Sequence, residues 1–214
     1  MGVPSVTRTV VCISHETGAG GRALGQAVAD QMGYRIVDEE IVARAATSQG
    51  LSVEELADVE RRKSFLSRML NEFGRGEIGM HGAFLDPSVD LRIAPSPNTL
   101  RGLIRQSIEE TADEGNVVIV SHAASYALSD RNDVLRVLVT ASPETRIQRL
   151  NEAQGMGRTK AEKSIADNDA GRADYLKRFY GVSAELPIHY DVVVNTDIIS
   201  ALDCAQIVVR AASL

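Results

Sequence analysis

Two cysteines among 214 residues leave no room for a disulfide framework. Cys12 falls in an apolar run and Cys204 in a helical pattern, so both read as core residues. No apolar run approaches the roughly 20 residues of a membrane span, and no secretory signal precedes the first apolar run. Met1-Gly2 opens like a myristoylation signal, but Val6 stands where Ser or Thr is required. Positive charge is not in excess. The formal net charge of −6 argues against a dedicated nucleic-acid binder, although a local arginine cluster can still serve a nucleotide. Internal repeats and low-complexity segments are absent. These absences predict a cytoplasmic protein with no nucleic-acid and no membrane partner.

What is present suits one well-buried α/β domain: 44% hydrophobic and 24% charged residues. Short apolar, β-branched runs at Val10–Ile13, Tyr34–Val37, Val117–Val120, Leu135–Thr140 and Val192–Asn195 read as five strands. Helical patterns alternate with them, which predicts a parallel sheet covered on both faces. Gly33 is placed to end the first helix. Ser142 with Pro143 caps another, and Ser200-x-x-Asp203 caps the last. Ser52-x-x-Glu55 and Thr159-x-x-Glu162 read as capping boxes. From Gly74 to Pro97 the pattern breaks into a long irregular excursion. Ligands of such sheets bind beyond the strand C-termini. The strand ends to inspect are therefore His15-Glu16, Asp38, Ser121-His122, Thr140-Ala141 and Asn195-Thr196.

The first strand runs into Thr17-Gly18-Ala19-Gly20-Gly21-Arg22 and then into Ala23, Leu24, Ala27, Val28 and Met32 at helical spacing. Strand, glycine loop and helix in that order make a phosphate cradle. Glycines let backbone N–H groups crowd an anion, and the helix start adds about half a positive charge. Aligned to the pattern G-x-x-x-x-G-K-[ST], the chain carries His15 for the first glycine and Gly21 for the lysine. Arg22 stands in place of the hydroxyl residue, and its longer, forked side chain could reach a phosphate from the flank of the loop. Otherwise it faces solvent.

Leu138-Val139-Thr140-Ala141-Ser142-Pro143-Glu144-Thr145-Arg146-Ile147-Gln148-Arg149 resembles the strand and arginine-bearing helix of bacterial-type cytidylate kinases. Val37-Asp38-Glu39-Glu40-Ile41-Val42-Ala43-Arg44 is similar to their L-D-S-G-x-x-x-R segment. The opening Ile13 to Arg22 resembles the I-S-R-E-x-G-S-G-G-R start of the divergent cytidylate kinase-like family. Asp167-x-x-x-x-Arg172-x-x-Tyr175 resembles that family's lid helix, and Val192 to Ala212 its last strand and helix. The resemblance leaves Ser64 to Pro97 unmatched. It implies a P-loop NTPase-type three-layer sandwich spanning residues 1–214 as a single domain. The five-stranded parallel sheet would have helices on both faces, an acceptor-side insertion at about 50–98 and a lid at about 155–181.

The same resemblance implies ATP and Mg²⁺ as cofactors and phosphoryl transfer to a small phosphate acceptor, CMP or dCMP before others. Gly18, Ala19, Gly20, Gly21 and Arg22 would hold the donor phosphates, with Arg149 near the donor base. Asp38 and Arg44 would orient the acceptor, and Arg172 would swing in from the lid. Such transfer is achieved by positioning and charge neutralisation, which arginines and a backbone nest supply. Two strand-end positions that carry arginine in the family are His15 and His122 here, and histidine is mostly neutral at pH 7. The loop pattern puts Arg22, and the family resemblance Ala23, where a Mg²⁺-binding hydroxyl would be, which leaves Glu16 and Asp38 as candidate metal ligands.

Alternatives stay open at this level. Arg146 reads as the solvated edge of its helix, and Arg172 could pair with Asp167, Asp169 or Asp174 as a surface ion pair. His15 and His122, completed by Glu16 or His81, could instead hold a transition metal. The chain could also be a nucleotide-binding or scaffold protein derived from a kinase, for which a homodimer burying Phe65 to Leu70 would speak. A kinase of a non-nucleotide metabolite would share the donor site.

Overall fold

Val10–His15 forms β1, and its side chains alternate between two buried layers. The computed structural model describes residues 8–38, 97–155 and 157–214. In chain order these are β1, α1 (Gly21–Met32), β2 (Arg35–Val37), α2 (Pro97–Asp113) and β3 (Val117–Val120). They continue with α3 (Ala124–Ala127), β4 (Val134–Thr140), α4 (Pro143–Gln154), α5 (Arg158–Tyr180), β5 (Val192–Asn195) and α6 (Ala201–Ala212). All pairings are parallel and the order is β2-β3-β1-β4-β5, with Val10 opposite both Val117 and Val134. The strand that feeds the glycine loop is thus the central one.

Each face is closed by helices, as a parallel sheet requires. Val10 and Cys12 join Ile108 of α2, Ala124 of α3 and Tyr175, Leu176 and Phe179 of α5 in one core. Val11 and Ile13 join Leu24 and Val28 of α1 and Cys204, Ala205 and Val208 of α6 in the other. A smaller cluster of Leu150, Ala161 and Ile165 packs α4 on α5. Cys12 and Cys204 are free and buried, as core residues should be. Among the described residues no helix is long and apolar enough to cross a membrane.

The five expected strands are all present, and three of the expected helix signals hold. Gly33 closes α1 in the left-handed conformation, Ser142 caps α4 through Thr145 N–H, and Ser200 caps α6 through Asp203 N–H. The signal at Thr159 does not hold. α5 begins two residues earlier than that box would place it, after Gly157 and without a side-chain cap, and Arg158 takes the Glu162 carboxylate at 2.9 Å. The one-turn helix α3 is too short to leave a periodic signal. Arg44, the Ser52 capping box, Phe65 to Leu70, His81 and nearly all of the 50–98 insertion lie outside the described residues.

Candidate phosphate-binding site

The loop between β1 and α1 is shaped by where its carbonyls go. His15 C=O accepts from Arg172 Nη1 at 2.6 Å, and Thr17 C=O accepts from Arg146 Nε at 2.7 Å. Glu16 C=O accepts from Ala19 N–H at 2.9 Å, Ala19 C=O from Thr196 Oγ1 at 2.8 Å, and Gly20 C=O from Leu24 N–H at 3.0 Å. A trans peptide directs its N–H opposite to its C=O. The N–H groups of Gly18, Gly20 and Gly21 therefore turn away from these donors, and none has a backbone acceptor among the described residues. Gly18 and Gly20 hold φ of +83° and +84°, which only glycine adopts without strain. Gly20 gives α1 no side-chain cap, so the first turn of the helix keeps its donors and its partial positive charge for an anion.

Arg146 is the main correction to the sequence reading. It is 5% exposed rather than a solvated edge. Its guanidinium spans Thr17 C=O and both oxygens of Asp169 on α5, at 2.8 and 2.7 Å, with Glu16 at 3.6 Å. Gly18 is small for this reason, since a Cβ there would lie 2.8 Å from Arg146 C=O. Burial in a low-dielectric site with full pairing makes this clamp structural. Arg149, one turn on, donates to Thr196 Oγ1 at 2.8 Å and Thr196 C=O at 2.6 Å, and its Nη1 comes within 3.9 Å of where a Gly20 Cβ would stand.

Arg172 reaches the strand end from α5. Its partner is not Asp167, Asp169 or Asp174 but Glu185, at 2.8 Å, and both side chains are about one-tenth exposed. Glu185 also accepts from Ser14 Oγ at 3.1 Å and from Tyr190 Oη. Arg22 is 72% exposed and pairs with Asp38 at 2.8 Å. Two residues assigned to donor and acceptor thus hold each other.

His15 and His122 are neighbours, with ring centroids 5.3 Å apart and planes tilted by 50°, and Ser14 Oγ lies 3.4 Å from His122 Nδ1. Burial pushes both imidazoles toward the neutral form. For His122, lowered further, the neighbouring His15 and Arg172 charges add to it. Neither ring brings a fixed positive charge to the loop. Among the described residues no group of three or more His, Cys, Asp and Glu is arranged to hold a metal ion. Glu16 Oε2 accepts from Thr140 Oγ1 at 2.7 Å and from Ala141 N–H at 3.3 Å. Its other oxygen makes no bond to a described residue, so a hydrated Mg²⁺, an oxygen-seeking cation, fits this carboxylate.

A parallel sheet in the order 2-3-1-4-5 with a glycine loop between its central strand and first helix defines the P-loop kinase class. The sequence profile of the cytidylate kinase-like family matches residues 10–198, and the chain belongs to that family. A cytidylate kinase of Ignicoccus hospitalis is 28% identical over 189 residues, covering 88% of this chain and 90% of that protein. Among solved structures, an uncharacterized protein of Eubacterium ventriosum aligns with a TM-score of 0.66 at 13% identity, covering 95% of this chain and 97% of its own. The shikimate kinase of Bacteroides thetaiotaomicron aligns with a TM-score of 0.51 at 16% identity, covering 96% and 99%. These two show the fold.

Proposed function

We propose that the chain transfers the terminal phosphoryl group of ATP to a small phosphate acceptor, with CMP or dCMP first among candidates. One observation carries the reading: among the described residues the N–H groups of Gly18, Gly20 and Gly21 have no backbone acceptor, while the carbonyls of the same three peptides are taken by Arg146, Thr196 and Leu24 N–H. Such a cradle fits the donor phosphates without a loop lysine. Arg149 stands beside Gly20 for the donor nucleotide, and Arg172 reaches the end of β1 from the lid. Glu16 would hold Mg²⁺, which when bound neutralises charge on the phosphates. Asp38 and Arg44 would serve the acceptor, for which Asp38 must exchange its Arg22 partner. Family membership and the name of the Ignicoccus hospitalis relative support the choice of acceptor.

A coupled assay with ATP, Mg²⁺ and a panel of nucleoside monophosphates tests this reading. Turnover highest on CMP or dCMP is expected. No turnover on any acceptor, together with no ATP binding, overturns it. A second reading, nucleotide binding without transfer, is favoured by the pairing of Arg22 with Asp38 and of Arg172 with Glu185. Its signature is a melting temperature raised by ATP with phosphoryl transfer at background.

A further inference from the structure

Glu185 lies beyond the lid helix, in a segment to which the phosphate-transfer reading gives no role. Its carboxylate is nonetheless the most heavily engaged in the described site. One oxygen takes Arg172 Nε at 2.8 Å, and the other takes Ser14 Oγ at 3.1 Å and Tyr190 Oη. Tyr190 is itself braced, with its hydroxyl 3.3 Å from that of Tyr126. Ser14 belongs to β1, one residue before the His15 carbonyl that accepts Arg172 Nη1. The guanidinium is therefore fixed at two corners, one by a carboxylate that two hydroxyls lock in place and one by the end of the loop strand. Its third corner, Nη2, makes no bond to another described residue. A cleft lined by Glu16, Asp169, Arg172, Ser183 and Glu185 opens beside it.

An arginine on a long helix samples many rotamers, and holding it in one costs entropy. A partner that holds it before the ligand arrives removes that cost from binding. We propose that Glu185 is a positioning residue for the lid arginine. It pins Arg172 on the end of β1 so that Nη2 is the edge offered to a phosphate oxygen. The proposal rests on the phosphoryl-transfer reading and adds the residue that sets its lid cation in place. Ser14 and Tyr190 act one step further back, by orienting the carboxylate.

Titration calorimetry with ATP and with inorganic triphosphate tests it, on wild type, Glu185→Gln, Arg172→Ala and the double variant. Glutamine keeps an acceptor for Ser14 and Tyr190 but loses the charge that holds the guanidinium. Glu185→Gln is expected to weaken anion binding about tenfold in the wild-type background and to change nothing in the Arg172→Ala background. Tyr190→Phe keeps the charge and removes one support, so a smaller loss that also vanishes without Arg172 is expected. Should Glu185→Gln melt the protein, Tyr190→Phe carries the same comparison. Equal losses with and without Arg172 overturn the proposal, because Glu185 would then act through packing. Tighter binding by Glu185→Gln also overturns it, because the carboxylate would then compete with phosphate. Coupled binding without turnover on any acceptor overturns the kinase reading alone. Turnover with binding indifferent to Glu185 overturns the positioning role alone, and absence of any anion binding overturns both.

Discussion

A Cβ on Gly21 would lie 2.3 Å from both the Cβ and the Cγ of His15. The two departures from the lysine-bearing loop pattern are therefore one. The imidazole at the position of the first glycine fills the space that any side chain at the lysine position would enter, so His15 as placed here requires glycine at 21.

Gly21→Lys should thus destabilise the fold by about 1–3 kcal/mol, the usual penalty for overpacking, despite the better helix propensity of lysine. His15→Gly with Gly21→Lys should lie closer to wild type than the sum of the single variants. Urea unfolding of the four proteins measures the coupling. Additive losses would mean that His15 moves aside freely and the two positions are independent.

Arg146→Ala removes the clamp between the loop and α5 and leaves Asp169 and Thr17 C=O without their donor. Breaking a fully buried pair costs about 3–5 kcal/mol, and because Asp169 is one-third exposed a loss of about 2–3 kcal/mol is expected. Denaturant midpoints give the number. Loss of anion affinity should accompany it, since Thr17 C=O is then free to turn into the cradle. A variant as stable as wild type would reduce Arg146 to a surface residue.

Both imidazoles resist protonation in the folded protein, and their acid constants lie below the ordinary 6.5 of the unfolded chain. As pH falls below about 6.5 the unfolded state takes up protons that the folded state refuses, so stability drops with acid. Each histidine contributes at most about 1.4 kcal/mol per pH unit between its folded and unfolded values. His122 is the more strongly shifted and should give the larger share, because the window extends further down. Urea midpoints at pH 7.0 and 5.5 should therefore fall less in His122→Asn than in wild type. An unchanged slope would show that the ring is open to solvent protons.

The sheet was legible because its strands are short β-branched runs, and buried parallel strands leave no other pattern. The loop was legible for the same local reason: Gly18, Gly20 and Gly21 stand together in the chain. What could not be read was pairing across distance. Arg146 sits in Pro143–Gln154, a polar helix that looks solvated on every side, and its burial comes from Thr17, 129 positions away, and from Asp169. Glu185 is a single acid in a mixed stretch, and what marks it is the approach of Arg172 and of Ser14, 171 positions distant. The absent lysine was visible, but its cause was not, because His15 and Gly21 meet only after the loop closes.

The polarity of the cradle is written outside its own sequence. Two of the carbonyls whose peptides carry its amides are held by Arg146 and Thr196, side chains on α4 and just beyond β5. A peptide copied from Val10 to Leu24, or the same stretch grafted onto another strand–helix turn, would keep the glycines and lose those donors. Its peptide planes would be free to rotate, and a cation could be drawn in as readily as an anion. Charge selectivity here is a property inherited from the scaffold, and transplantation is where it would be lost first.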